Sequence, residues 1–362
     1  TVANLSLLNT SWYIKQLRDL RPPEKQFIFL DDNQINTISS NLTRWKTKNV
    51  TLPTNTEKQI TWQVKPTYGG QALKVQDVMI MQIINDAKWK YPIYFAVTVS
   101  PSNKIGLDKY LTMEGLTFKL NDHKVENNIN PEIMYENLMT ELGDSTWHKN
   151  YSKKTSPNPD VQLWSNDYQQ GYLFRNLGNE NVYYNDQIIR LLQNYRSAYL
   201  QLAIHHYFNY EDLKKNNSNE IEIEKEKNMV LDVLDQMAYN IPEKQIPIPQ
   251  KDLYYQIGQI YSQVGEKNQF KMILDNLLTR ERLSIDDRIR YGQTYMQELK
   301  EYSQAIEIFE QLMNHYKGIS RNNVSSRTWK KWESVYPEII SSLILAYQGG
   351  GQNDKAEAVL NE

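Results

Sequence analysis

The chain has 362 residues, of which 40% are hydrophobic and 23% charged, and its formal net charge is −2. That length accommodates two domains, and the near-neutral charge excludes the basic excess of a nucleic-acid binder or of a polybasic membrane-surface protein. The chain has no cysteine, so disulfides, thiolate catalysis and Cys-ligated zinc are excluded.

Residues 1–8 (TVANLSLL) alternate and read as a strand. Asn9, Thr10 and Ser11 then supply turn and helix-capping chemistry. Trp12, Tyr13, Leu17 and Leu20 follow at helical spacing until Arg21-Pro22-Pro23 stops the helix. Residues 27–30 are a short apolar strand, and residues 31–56 are polar without clear periodicity. Residues 58–65 (KQITWQVK) alternate Ile60, Trp62 and Val64, the pattern of a half-buried strand, and Gly69-Gly70 marks a turn. Residues 75–89 form an amphipathic helix, and residues 92–99 (PIYFAVTV) are nearly all apolar, as a buried central strand is. This strand–helix–strand order predicts a βαβ unit. A short helix from Pro101, a strand over 115–120 and a helix over 131–142 complete a mixed α/β domain over 1–142.

Residues 143–180 are irregular and contain Ser156-Pro157-Asn158-Pro159, so the linker is placed there. From Asn185 the pattern is helical to the end, which predicts an all-α domain over 181–362. Two helices are expected over 185–209 and 219–239. The charged stretch from Lys214 to Lys227 reads as a loop entering an exposed helix face; an interaction tail is the alternative.

Three later segments resemble one another. The first carries Ile257-Gly258, Tyr261 and Gly265, then Phe270, Leu274 and Leu277. The second carries Tyr291-Gly292 and Tyr295, then Ala305, Phe309 and Leu312. The third carries Ala346-Tyr347 and Gly351, then Ala356 and Val359. They resemble tetratricopeptide (TPR) repeats, in which a small residue lets two helices approach, a Tyr fills the groove and a Gly makes the turn. Three departures stand out. Phe270 occupies a position that is small in the repeat, one extra residue separates Tyr295 from Ala305, and an insertion from Tyr316 to Arg327 lengthens the gap to the third segment. The likeness implies a groove for a protein or peptide partner; a scaffold that braces the α/β domain is the other reading.

None of the five histidines falls at a metal-ligand spacing, and no nucleophile elbow, Walker loop or dinucleotide fingerprint is present. No catalytic residue, metal ligand or cofactor is therefore expected. Asp31-Asp32 follows a strand end, where paired carboxylates can hold a divalent cation; the alternative is a helix cap with a first-turn acid. Asn4, Asn9, Trp12 and Tyr13 cluster at the first strand–helix turn. Amides with aromatic rings suit a sugar or polar organic ligand, and capping and core roles are the alternative.

The run from Val2 to Ile14 (VANLSLLNTSWYI) is similar to a segment of a bacterial membrane-protein family. That family is best known from Bacteroidetes and is related to the eukaryotic ER protein O-mannosyltransferase of plexin-type domains. The likeness continues in Lys88–Ala96 (KWKYPIYFA), in Leu107–Leu120 with Glu114-Gly115-Leu116, and in Gln193–Tyr199 (QNYRSAY). It implies that this chain is the C-terminal part of a larger protein, and the opening on Thr1 within a strand-like run fits an excised piece. Transmembrane helices of glycosyltransferase type would precede it and carry the catalytic acids. The part seen here would lie on the periplasmic face, attached to the inner membrane, and would bind or position an acceptor protein. No nucleic acid is expected as partner. Two alternatives remain: a TPR-type adaptor in a cell-envelope assembly, and an enzyme using the crevice beside Asp31-Asp32.

Overall fold

A computed structural model of the chain describes residues 15, 32–33, 46–54, 59–87, 89, 92–140, 171–172, 174–281, 283–319 and 323–361. The strands expected over 1–8 and 27–30, and the helix over 12–20 apart from Lys15, lie outside them. The chain divides into two compact units, Thr1–Ile246 and Pro247–Glu362. The boundaries expected from composition (1–142, 143–180 and 181–362) follow secondary-structure content, whereas compactness groups the first two long helices with the sheets.

In the first unit, β1 (Lys48–Pro53) and β2 (Gln59–Val64) form an antiparallel pair with Leu52 opposite Ile60. Strand β2 strictly alternates exposed and buried residues, and Ile60, Trp62 and Val64 point into the core. The Gly69-Gly70 turn follows with both residues at positive φ, and the helix α1 (Val75–Ala87) comes next. A second sheet holds β3 (Tyr94–Ala96), β4 (Leu111–Met113) and β5 (Thr117–Leu120) in the order β3-β5-β4, all antiparallel.

The class expected from sequence, an α/β region followed by helices, is the one observed, but the strand pairing differs. Strands β2 and β3 belong to different sheets, so the strand–helix–strand order does not close into a parallel βαβ unit. Nor is β3 a buried central strand. It lies at a sheet edge with only Phe95 of its three residues buried. The reason is local: Val99 N donates to Ala96 O at 3.0 Å, and this turn ends the strand after three residues. The two sheets still share one core, in which Trp62 Nε1 donates to Ile105 O at 3.0 Å and Tyr110 Oη to Thr61 O at 2.8 Å.

Among the described residues of this unit, three further helices follow: α2 (Pro131–Met139), α3 (Asp186–Lys215) and α4 (Glu220–Asn240). Each has an Asn N-cap accepting from a backbone N–H of the first turn: Asn130, Asn185 and Asn219. The charged run between Lys214 and Lys227 is the short turn from α3 into the exposed first turns of α4. The buried Tyr199 donates to Leu138 O at 2.7 Å and ties α3 to α2. Arg196, 2% exposed, donates to Ile241 O and Ile246 O at 2.8 and 2.7 Å and so fixes the segment after α4.

The second unit is three successive helix pairs: α5 (Lys251–Gln263) with α6 (Lys267–Thr279), α7 (Ile285–Thr294) with α8 (Tyr302–Gly318), and α9 (Ser326–Gly349) with α10 (Asn353–Leu360). The turns inside the pairs are alike. Gly265, Lys300 and Gly351 all take positive φ (102°, 61° and 73°). Glu266, Glu301 and Gln352 then cap the second helices, each donating its N–H to a tyrosine carbonyl (Tyr261, Tyr295, Tyr347) at 2.8 Å.

Two of the three sequence irregularities have a structural solution. The extra residue after Tyr295 is absorbed by one π-helical turn, Tyr295–Leu299, which restores the same cap geometry one residue later. The bulky Phe270 fits because Gly258 faces it: a Cβ on Gly258 would lie 2.3 Å from Phe270 Cδ2. In the second pair the positions are exchanged. Ala305 is the small residue, and Gly292 instead accommodates Phe309, whose Cζ would be 2.7 Å from an added Cβ.

Candidate functional site

The first helices of the three pairs, α5, α7 and α9, lie side by side and are joined by polar side chains. Between α5 and α7, Lys251 Nζ reaches Asp287 Oδ2 at 2.7 Å and Arg290 reaches Asp252 Oδ1 at 2.8 Å. Between α7 and α9, Lys331 pairs with Asp286 at 2.6 Å, and Gln293 Nε2 donates to Glu338 Oε1 at 2.9 Å. Beneath the charges Tyr255 stacks on Tyr291 at 5.6 Å, and the Arg290 guanidinium sits 4.7 Å from the Tyr255 ring. Thr294 Oγ1 donates to Arg290 O at 2.8 Å, so in the 2.7 Å contact between the two hydroxyls it is Tyr255 that donates to Thr294.

The electrostatics of the strip follow from this packing. Burial raises the Asp287 carboxyl, but hydrogen bonds from Lys251 and Ser284 outweigh it, and the group lies below the usual carboxylate range. Burial works against the charge on Arg290; its hydrogen bond to Asp252 reverses the effect and holds it charged. Burial also raises the phenols of Tyr255 and Tyr291. Asp252 is 76% exposed and Asp286 61%, so the outer ion pairs lie in water. Such pairs contribute ~0–1 kcal/mol each, and a partner can exchange them at little cost. The described side chains of the strip carry both signs of charge.

The second helices are linked differently. Tyr295 Oη donates to Asp275 on α6, and Tyr347 Oη donates to Glu310 on α8. These two bonds occupy equivalent positions and connect each pair to the next.

Of the residues expected to form a ligand crevice, Asn4, Asn9, Trp12, Tyr13 and Asp31 lie outside the described residues. Asp32 is helical and pairs with Lys15 at 3.1 Å. His206 is buried, with Nδ1 2.7 Å from Glu226 Oε2, and burial lowers the pKa of His205. Sequence reasoning missed the polar strip. Its members are ordinary surface charges on three separate helices, and only the 34-residue spacing of Gly258 and Gly292 hints that they align.

Small antiparallel sheets followed by paired helices define the class: an α/β segment joined to a helical-repeat segment. Residues 32–140, from before β1 to the end of α2, match the family model described as TMEM260-associated domain 2. The chain matches no curated protein and no solved structure. Among the described residues no helix is long and apolar enough to cross a membrane.

Proposed function

We propose that this chain is the extracytoplasmic, non-catalytic part of a membrane glycosyltransferase-like protein related to protein O-mannosyltransferases. In this reading it binds or positions the acceptor protein on the strip formed by α5, α7 and α9. The observation that carries the reading is the TMEM260-associated match over 32–140. That stretch also holds two of the sequence blocks similar to the O-mannosyltransferase-related family, Lys88–Ala96 and Leu107–Leu120. The three helix pairs support the binding role, because pairs of this TPR-like kind expose their first helices in a row to a partner. The segment would be held at the periplasmic face of the inner membrane by helices preceding it in the longer protein.

The test is to supply the isolated chain with a lipid-linked mannose donor and an acceptor polypeptide. The proposal expects acceptor binding without turnover; sugar transfer by the chain alone overturns it. A TPR-type envelope adaptor is the second reading, favoured by the mixed charge of the strip. Capture from a detergent extract separates the two. A stoichiometric, stable protein partner with no glycan supports the adaptor, whereas short-lived capture of glycoprotein acceptors supports the transferase part.

A further inference from the structure

A cavity of about 240 Å³ opens between the three-stranded sheet and α3. We propose that it is a binding site for one ring of a neutral carbohydrate. The proposal rests on the cavity's own chemistry and holds whether or not the chain belongs to a transferase.

Every described residue lining the cavity is uncharged, so none of them neutralises a phosphate, a carboxylate or a metal ion. One side is apolar, formed by Met113, Phe118 and Ile129 among others. Met113 and Ile129 are buried, and Phe118 is held by the Lys104 ammonium 3.6 Å from its ring centroid. The other side is polar. Asn194, Ser197 and Gln201 project from successive turns of α3, and Asn128 joins them from the loop before α2. Asn194 Nδ2 donates to Leu191 O at 3.0 Å, which leaves the Asn194 carbonyl as the acceptor available to a ligand.

Side-chain amides carry a donor and an acceptor on one short arm, and neighbouring sugar hydroxyls present both as well. A pyranose ring also has an apolar C–H face and a polar rim, matching an apolar wall opposite an amide-bearing one. The volume is below the roughly 300–1,000 Å³ of pockets for drug-sized ligands, so the site takes one ring rather than a long glycan. A peptide strand fits less well. Met113 N donates to Asn128 O at 2.8 Å, Asn130 N donates to Met113 O at 2.9 Å, and Val97 N donates to Leu116 O at 3.0 Å. These backbone groups beside the cavity are therefore not free to pair with a docking strand.

The experiment titrates the whole chain with methyl α-mannoside, methyl α-glucoside and methyl α-galactoside, read by saturation-transfer NMR and by shifts of side-chain amide signals. N-acetylalanine methylamide and inorganic phosphate serve as the peptide and anion probes. At least one hexoside is expected to bind saturably in the millimolar range, while the two other probes do not bind. Gln201→Ala and Asn128→Ala should each weaken the hexoside about tenfold, as loss of a hydrogen bond to a ligand does. Gln201 is exposed on α3 and Ala is a strong helix former, so the first variant keeps its fold; far-UV circular dichroism verifies this. No saturable binding of any hexoside to the unmodified chain overturns the proposal. So does hexoside binding that both folded variants leave unchanged, or equal binding of the peptide probe.

Discussion

Gly258→Ala is a substitution for which two general expectations conflict. In the middle of an exposed helix, Gly→Ala stabilises by roughly 0.5–1 kcal/mol through the entropy of the unfolded chain. Here the added Cβ would lie 2.3 Å from Phe270 Cδ2 and 2.7 Å from Cε2. Carbon atoms in contact prefer about 3.5–4.0 Å, so the ring has to move by about 1 Å. Phe270 is fully buried and edge-packed against Tyr255 at 5.5 Å, and Tyr255 in turn stacks on Tyr291, so the displacement spreads into α7. Overpacking of this kind costs about 1–3 kcal/mol, which leaves a net destabilisation of about 1–2 kcal/mol after the helix gain.

The decisive measurement is a double-mutant cycle with Phe270→Ala, read by urea unfolding. Phe270→Ala alone should cost about 3–5 kcal/mol. In that background the clash is gone, the interface becomes small against small, and Gly258→Ala should stabilise by about 0.5–1 kcal/mol. The sign of one substitution thus reverses with its neighbour. A Gly258→Ala effect equal in both backgrounds would refute the steric account of the first pair.

The other predictions concern the turns and the ionisable groups. Lys300 takes φ 61° where the other two pairs have Gly265 and Gly351. Relief of the left-handed strain, ~1–2 kcal/mol, less the extra unfolded-state entropy of glycine, makes Lys300→Gly stabilising by roughly 0.5–1 kcal/mol; a lower urea midpoint contradicts this. Burial and the Glu310 carboxylate push the Tyr347 phenol up to about 12, and Tyr295 is raised in the same sense by burial and Asp275. Unfolded tyrosine titrates near ~10, so the stabilising contribution of both is complete below that pH and is lost as pH rises through their folded values. The Tyr295→Phe, Tyr347→Phe variant should therefore show a shallower fall of stability above about pH 10, measured by denaturant midpoints across the alkaline range. An unchanged slope counts against the tyrosine–carboxylate links. Asp287 is depressed, so its contribution is present above the unfolded carboxylate value and is lost as pH falls through its folded one. Asp287→Asn should cost about 1–3 kcal/mol at neutral pH, with the gap to the unmodified protein closing in acid; a gap independent of pH would exclude the assigned pairing.

Much of the architecture was legible because it is local. The alternation Ile60–Trp62–Val64 identifies β2 by the period of two that its burial shows. Asn185 and Asn130 mark helix starts by a bond to a backbone N–H within four residues. The Gly–Tyr–Gly spacing located the pairs, and even the extra residue after Tyr295 was visible, although not that a π turn absorbs it. What failed depends on partners distant in sequence. Strand β1 is held by pairing with β2, and KNVTLP offers few apolar residues of its own. The apolar run around β3 resembles a central strand because its composition does not reveal the turn closed by Val99. Asp275 and Glu310 look like solvated helix acids, although each lies nine residues after a helix-capping glutamate, Glu266 and Glu301, a signal visible once the pairs are aligned. Asn194, Ser197 and Gln201 read as the polar face of α3. Only the fold shows that this face meets the sheet.

The central claim is that the strip on α5, α7 and α9 recognises the acceptor and takes no part in chemistry. Asp252 on α5 and Glu338 on α9 are both exposed, so their charge can be reversed without disturbing the core. The direct test is steady-state transfer by the proposed membrane transferase carrying Asp252→Lys and Glu338→Lys, with acceptor and lipid-linked donor varied in turn. The account predicts an acceptor KM raised about tenfold, equivalent to about 1.4 kcal/mol, with kcat and the donor KM unchanged. An acceptor KM equal to that of the unmodified protein, or a loss confined to kcat, would contradict it.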